Sequence, residues 1–593
     1  MKTLTGVFVL LMTINAYAQQ QPQPQVPEGY WTEAKSGEIL KKTETIRLAP
    51  DLSSLTDDER AALKDLLEVG TIFQKLYESS RHPEALAALD KLRVLDVQQK
   101  QPKWTQNLLD LYRLFQGPIA STLDNQRVPF LPVAPQSLTR NVYPLDATKA
   151  EIDAYLAANP DTRDEILGER TIVRRATRSS AENDVNLMNV FQLLREFHPL
   201  MYRRLKVLTE HPEPTAFYGL PYSIAYADQL VSSMRLLLHA ADTLETSDPE
   251  FARYLRNRAR DLVSNDYESG DASWVTGHFK RLNAQIGAYE TYDDALYGVK
   301  AFHGMSIMLV NEKATADLRK ALGGLQAIED ALPYEHHKRV REDIPVGVYE
   351  VIADFGQARG TNTATILPND ALFARRYGRT IMLRENIMKH PDIFAADLRV
   401  WRTATADAHA NDLADEGNFQ RTLWHEIGHY LGVDRDKQGR SLDVALEDYA
   451  DSVEEMKADL VSLFALDRMK HASLRAIQAS GIRRTLQSVK PRRDQPYQTM
   501  QLIQFNWFLD KGLITADPKT ARLTVNYAKY PEAVKSLLEA VLKLQYEGDK
   551  AATAAFFDKW TTWTPELHEK LAARIRDAQG ARFRIVKYAA LGE

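Results

Sequence analysis

Phe419-Gln420-Arg421-Thr422-Leu423-Trp424-His425-Glu426-Ile427-Gly428-His429-Tyr430-Leu431-Gly432 is the stretch on which the reading of the whole chain turns. Phe419, Leu423, Ile427 and Leu431 recur every four residues, the apolar stripe of a helix that must be buried. Gly432 stands where such a helix turns left-handed at its C-terminus. His425 and His429 leave one face of that helix and can grip a single metal ion. Glu426, between them, can reach a water on that ion and take its proton. With 14 histidines in 593 residues, about 0.02 H-E-x-x-H matches would arise by chance. The bland alternative, two surface histidines beside a solvated glutamate, sits badly with the apolar flanks. Gly428 lowers helix propensity, which a closely approaching segment would explain. Trp424 reads as core packing.

A hydrolytic zinc site needs a third protein ligand and an open position. The extended pattern H-E-x-x-H-x-x-G-x-x-H fails here, because Arg435 occupies the third-ligand position and Asp434 is one residue out of register. The other solution is a glutamate on a second helix. Acids abound downstream at Glu447, Asp448, Asp451, Glu454, Glu455 and Asp459. Val453–Leu466 is the best helix among them, with Val453, Met456, Leu460, Val461 and Phe464 at helical spacing. Glu455 and Asp459 share its other face, so Glu455 can ligate while Asp459 accepts the free ring N–H of a ligating histidine. Glu454 is a second such acceptor. A solvated acidic face is the plain alternative, but it leaves the histidine pair without its ligand.

The pairing of His425-Glu426-Ile427-Gly428-His429 with Glu454-Glu455-Met456-Lys457-Ala458-Asp459 resembles the dipeptidyl peptidase III family of zinc peptidases. That family's second motif is E-E-C-R-A-E. Its first is usually the hexapeptide H-E-x-x-G-H, one residue longer than the form here. The resemblance implies zinc on His425, His429 and Glu455, with Glu426 as general base. Gly287-Ala288-Tyr289-Glu290-Thr291-Tyr292 is similar to a family stretch ending I-E-S/T-Y. By that match Glu290 holds the free α-amino group of an oligopeptide and Tyr292 bonds the scissile carbonyl oxygen. Gly360-Thr361-Asn362 and Pro368-Asn369 resemble G-x-N-x-P-N with extra residues between, which makes Asn362 and Asn369 substrate-backbone ligands. One departure stands out. Where the family has a histidine and an arginine four apart, the best match here gives Tyr497 and Gln501, neither cationic at neutral pH.

The N-terminus reads as a signal peptide over 1–18: Lys2, an apolar run from Leu4 to Ile14, then Ala16-Tyr17-Ala18, with cleavage expected after Ala18. The apolar run is too short to span a bilayer, and a Gln/Pro-rich spacer follows to residue 30. The expectation is therefore a periplasmic or secreted protein without stable membrane insertion. No cysteine occurs, which excludes disulfides and a lipidated cysteine. A net charge of −5, from 75 basic and 80 acidic residues, argues against nucleic acid as a partner.

Helical patterns dominate. Thr56-Asp57-Asp58-Glu59 is a capping box opening a helix with Leu63, Leu66, Leu67, Ile72, Phe73 and Leu76 on its apolar side. Similar patterns run through Asn186–Leu208 (broken at Pro199), Ser223–Leu244 and Pro531–Leu542. Strand character gathers at Val346–Ile352, Arg379–Leu383 and Phe583–Lys587. The expected class is mainly α with a small β element. The resemblance implies two lobes flanking a wide cleft, the zinc on the helical one. Residues 31–305, with returns near 345–390 and 580–593, are assigned to the first lobe; 306–344 and 391–579 are assigned to the helical lobe. A zinc peptidase that releases dipeptides from peptide N-termini is the leading functional reading. The alternatives are a zinc hydrolase with these ligands and another substrate, or a non-catalytic zinc protein that captures peptides.

Overall fold

The structure is a computed structural model that describes residues 26–593 apart from 125, 341–344, 361, 368–370, 379 and 493–495; for 321, 366, 371, 374, 375 and 443 it describes the backbone only. The leader at 1–18, the spacer up to 25, and Asn369 lie outside the described residues.

Thr56 opens the 25-residue helix α1 (Asp57–Arg81) with a reciprocal cap: its hydroxyl accepts from the Glu59 N–H, and the Glu59 carboxylate accepts from the Thr56 N–H. Leu63, Leu66, Phe73 and Leu76 of this helix are buried, while Leu67 and Ile72 pack at the margin of the same core. The Asn186–Leu208 pattern folds as three helices, Arg178–Val190, Leu193–Phe197 and Pro199–Glu210, with a second break at Phe191–Gln192 that spacing did not reveal. Arg195 Nε covers the Met188 carbonyl that this break frees, at 2.9 Å.

Two lobes meet around a small mixed sheet. Strand β1 (Thr43–Leu48) pairs in parallel with the C-terminal strand Phe583–Tyr588. The main sheet holds β2 (Leu282–Glu290), β3 (Phe302–Val310), β4 (Val346–Gly356), β5 (Ala364–Leu367) and β6 (Thr380–Arg384), in the order β2-β3-β4-β6-β5. The pairs β2–β3, β3–β4 and β6–β5 are antiparallel, whereas β4–β6 is parallel. Two of the three strand segments expected from sequence thus join this sheet, and the third pairs with β1 instead. Sequence missed β2 and β3 because both are buried on their two faces, which removes the alternation that marks a half-exposed strand.

On β6, Ile381 and Leu383 point into one core and Met382 into the other, so this part of the sheet is a wall between the lobes. One core gathers residues of α1, β2 and β3 with Val351 to Phe355 of β4 and Val586 and Tyr588. The other joins Val346 and Val348 to the helices between residues 391 and 578. Two of these helices, α2 (Asp415–Gly428) and α3 (Ala450–Arg468), pack against each other. No helix of the described residues is long and apolar enough to cross a membrane.

Candidate metal centre and cleft

Helix α2 buries Phe419, Leu423, Trp424 and Ile427 in the helical core, which leaves His425 and Glu426 lining the cleft and groups His429 with His425 and Glu455. Its regular turns stop at Gly428, earlier than the spacing suggests, and Gly432 takes the left-handed conformation at φ +81°. Lys457 of α3 explains the stop. Its buried ammonium donates to Gly428 O at 3.0 Å and Leu431 O at 2.8 Å, capping carbonyls that would otherwise lack partners. Gly428 is where the two helices touch: a Cβ there would lie 2.7 Å from Ala458 O and 3.0 Å from Ala458 Cα. The glycine that costs helix propensity is the one that lets α2 and α3 close.

That closeness brings the ligand candidates together. His425, His429 and Glu455 are the grouping of metal-ligating side chains found among the described residues, each offering a donor atom within 4.8 Å of the others. Glu455 Oε2 lies 3.2 Å from His425 Nε2 and 4.0 Å from His429 Nε2. Tetrahedral zinc with bonds near 2.0–2.1 Å sets its ligand atoms about 3.3 Å apart, so a small contraction would complete the geometry. Each histidine turns its other nitrogen to a carboxylate: His425 Nδ1 is 2.8 Å from Asp459 Oδ1, and His429 Nδ1 is 2.9 Å from Glu454 Oε1. With Nδ1–H committed, each Nε2 presents a lone pair inward. Glu455 Oε2 is buried and accepts no hydrogen bond among the described residues. A buried carboxylate oxygen without a donor is costly, and two imidazoles aimed at it make a cation its natural partner. The donor set fits zinc.

Charge around the centre supports the carboxylates. Burial pushes the Asp459 carboxyl upward, but Arg484, His425 and Arg421 outweigh it and hold the group far below the usual carboxylate range. Arg484 Nε donates to Asp459 Oδ2 at 2.7 Å and Gln504 Nε2 to the same oxygen at 3.3 Å. Burial likewise opposes ionisation of Glu454, yet Lys457 and His429 lower it to about 2. Burial disfavours His425 protonation, but Asp459 and Glu455 raise its pKa. The capping role of Lys457 and the Arg421–Arg484–Gln504 clasp on Asp459 were not read from sequence, because their partners are 25 to 45 positions away.

The centre lines a cleft of about 640 Å³ that includes His425, Glu426, Arg484, Tyr497 and Gln501 on one side and Thr363, Ala364 and Arg584 on the other. Glu290 ends β2 after a bulge at Tyr289, where the register with β3 slips. The bulge turns the Tyr289 phenol inward to Asp271 at 2.6 Å and places Glu290 in the lining of a small cavity of about 40 Å³ with Asn362, Gln285 and Arg384. Tyr292, two residues beyond Glu290, is 89% exposed. Its phenol pKa is raised by Glu290, then by burial, then by the charges of Glu455 and Asp451. Glu290 and Asn362 are thus in one recess. Asn369 lies outside the described residues.

No family model matches the chain. A curated relative, Nudix hydrolase 3 of Arabidopsis thaliana, is 26% identical over 446 residues, which is 73% of this chain and 55% of that protein. The chain therefore spans about half the length of the curated relative it matches. Among solved structures, DPP III from Caldithrix abyssi superimposes with a TM-score of 0.78 at 22% identity, over 93% of this chain and 99% of that one. Dipeptidyl-peptidase III from Corallococcus sp. strain EGB gives 0.72 at 23% identity, over 95% and 98%. The fold is the one those two structures share.

Proposed function

We propose that this chain is a zinc-dependent peptidase of the dipeptidyl peptidase III family, releasing dipeptides from the N-termini of oligopeptides. The observation that carries the reading is the convergence of His425 Nε2, His429 Nε2 and the unpartnered Glu455 Oε2 beside Glu426 at a cleft, on the fold of those peptidase structures. His425, His429 and Glu455 would hold the ion, oriented by Asp459 and Glu454. Zinc in this site supplies Lewis acidity to a peptide carbonyl and makes water a stronger acid. Glu426 accepts the proton of the attacking water and passes it to the leaving amine nitrogen. Tyr292 donates to the carbonyl oxygen as negative charge gathers there. Glu290 pairs with the substrate α-ammonium, while Asn362 and Asn369 bind its backbone. The distance from that recess to the centre then selects the second peptide bond.

One observation favours a second reading, the same centre acting on another substrate. Tyr497 and Gln501 stand where the resemblance places a cationic pair, and Gln501 Oε1 is already bonded by Gln487 at 2.7 Å.

The test is hydrolysis of a dipeptidyl arylamide such as Arg-Arg-naphthylamide by purified protein, with and without chelator, beside Glu426→Ala. Release of intact dipeptide that stops with chelator and in the variant supports the proposal. Stoichiometric zinc without release of dipeptide from this or other dipeptidyl substrates refutes dipeptidyl specificity and leaves the second reading.

A further inference from the structure

We propose that Tyr497 is a positioning residue for Glu455, its phenol holding one carboxylate oxygen so that the other alone is presented to the ion; this rests on the zinc reading above. The Tyr497 hydroxyl donates to Glu455 Oε1 at 3.0 Å. The second oxygen, Oε2, is the one that faces both histidine Nε2 atoms and has no hydrogen-bond donor among the described residues. The two oxygens of one carboxylate are thus differentiated by their surroundings, one bonded by a phenol and one left for a cation.

The helix that carries Tyr497 makes the arrangement firm. Helix α4 (Pro496–Asp510) also carries Gln504, which donates to Asp459 Oδ2 at 3.3 Å. Tyr497 and Gln504 are seven positions apart, two turns of one face. Glu455 and Asp459 are one turn apart on α3. One face of α4 therefore supports both the acidic ligand and the carboxylate that orients His425. A phenol has a single proton. While it is committed to Glu455 it cannot also donate to a reacting carbonyl, so in this chain oxyanion donation falls to Tyr292. That differs from a family pattern with a histidine at this position, whose imidazolium has two N–H groups.

A carboxylate freed of its phenol can bind an ion through both oxygens, which raises the coordination number and weakens the fixed geometry. The experiment compares wild type, Tyr497→Phe and Tyr497→His for zinc affinity, by competition with a chromophoric chelator, and for the visible absorption of the cobalt(II)-loaded protein. Tyr497 is about half exposed, and the melting temperature of each metal-free protein confirms that the fold is retained. In Tyr497→Phe the zinc dissociation constant should rise roughly 10-fold and the cobalt band should weaken as coordination expands. Tyr497→His, which restores a donor, should recover most of both. A wild type that binds one zinc, with Tyr497→Phe unchanged in affinity and spectrum, overturns the positioning role alone. A wild type that binds no metal ion overturns the zinc reading and this proposal with it.

Discussion

Replacing Gly428 with alanine tests whether the approach of α2 to α3 builds the metal centre. On helix propensity alone the change stabilises by up to about 1 kcal/mol. The packing opposes this. The new methyl would lie 2.7 Å from Ala458 O, against a closest ordinary C···O approach of about 3.3 Å. The clash is with backbone, so no rotamer relieves it, and α2 and α3 must part by roughly 0.6 Å. Overpacking of this kind costs about 1–3 kcal/mol, so the net change is neutral to destabilising by about 2 kcal/mol. The larger effect falls on the site. His425 and His429 ride on or just beyond α2 and Glu455 on α3, and the 4.0 Å gap from His429 Nε2 to Glu455 Oε2 already needs closing before an ion is gripped.

Parting the helices widens that gap, and zinc affinity should fall by about 10- to 100-fold. The assay is chelator competition for zinc, alongside denaturant unfolding of the metal-free protein. Gly37→Ala is the control: Gly37 also lies within a helix, Glu33–Leu40, with nothing within 4 Å of its absent Cβ. That variant should gain about 0.5–1 kcal/mol and keep its zinc affinity. If Gly428→Ala gains stability as the control does and binds zinc within twofold of wild type, the close-approach argument is wrong.

Lys457→Met should cost about 2–4 kcal/mol in denaturant unfolding, since it strips the Gly428 and Leu431 carbonyls of their ammonium donor and leaves Glu454 without its 2.8 Å partner; equal stability would show that these carbonyls find other donors. His303 makes a pH prediction. Burial, then Arg170, lower its pKa from 6.5 to about 3, and its Nε2 has no partner among the described residues. Below pH 6.5 the unfolded chain takes up a proton that the folded chain refuses, so stability is full above pH 6.5 and declines as pH falls toward 3. By pH 4.5 the loss from this one group is about 3 kcal/mol. His303→Phe should keep the ring contacts with Phe73, Tyr222 and Tyr226 and lose that share of the slope; parallel stability curves for the two proteins between pH 7 and 4.5 would refute the assignment.

The parts of the fold legible in sequence were those governed by local rules. The Thr56–Glu59 cap depends on residues three apart, and the apolar spacing of α2 and α3 depends on one face of each helix. β2 and β3 were hidden because a strand covered on both sides loses its alternation. Leu282–Glu290 even carries Gln285 with Asn283 and Gly287, the last two residue types depleted in strands, and Trp274 and Tyr349 pair Asn283 inside the fold. The break at Phe191 was hidden for another reason: the side chain that pays for it, Arg195, follows it in sequence and says nothing about direction.

The site shows the same division, and it explains why a short motif can be so informative. His425, Glu426 and His429 are set by the pitch of one helix, and Glu455 and Asp459 by the pitch of another, so each half could be inferred alone. What joins the halves is a contact with no sequence signature beyond a disfavoured glycine. Gly428 against Ala458 sets the separation, and Lys457 ties the end of one helix to the body of the other. Tyr497 then fixes which oxygen of Glu455 meets the ion, from a helix about forty residues further on. Substitution at such joining positions leaves the motif readable while altering the geometry it names. A chain can therefore keep H-E-x-x-H and its distant glutamate and still differ in what it binds. Here the joining residues bring the donor atoms of His425, His429 and Glu455 within 4.8 Å of one another, close enough to hold one ion.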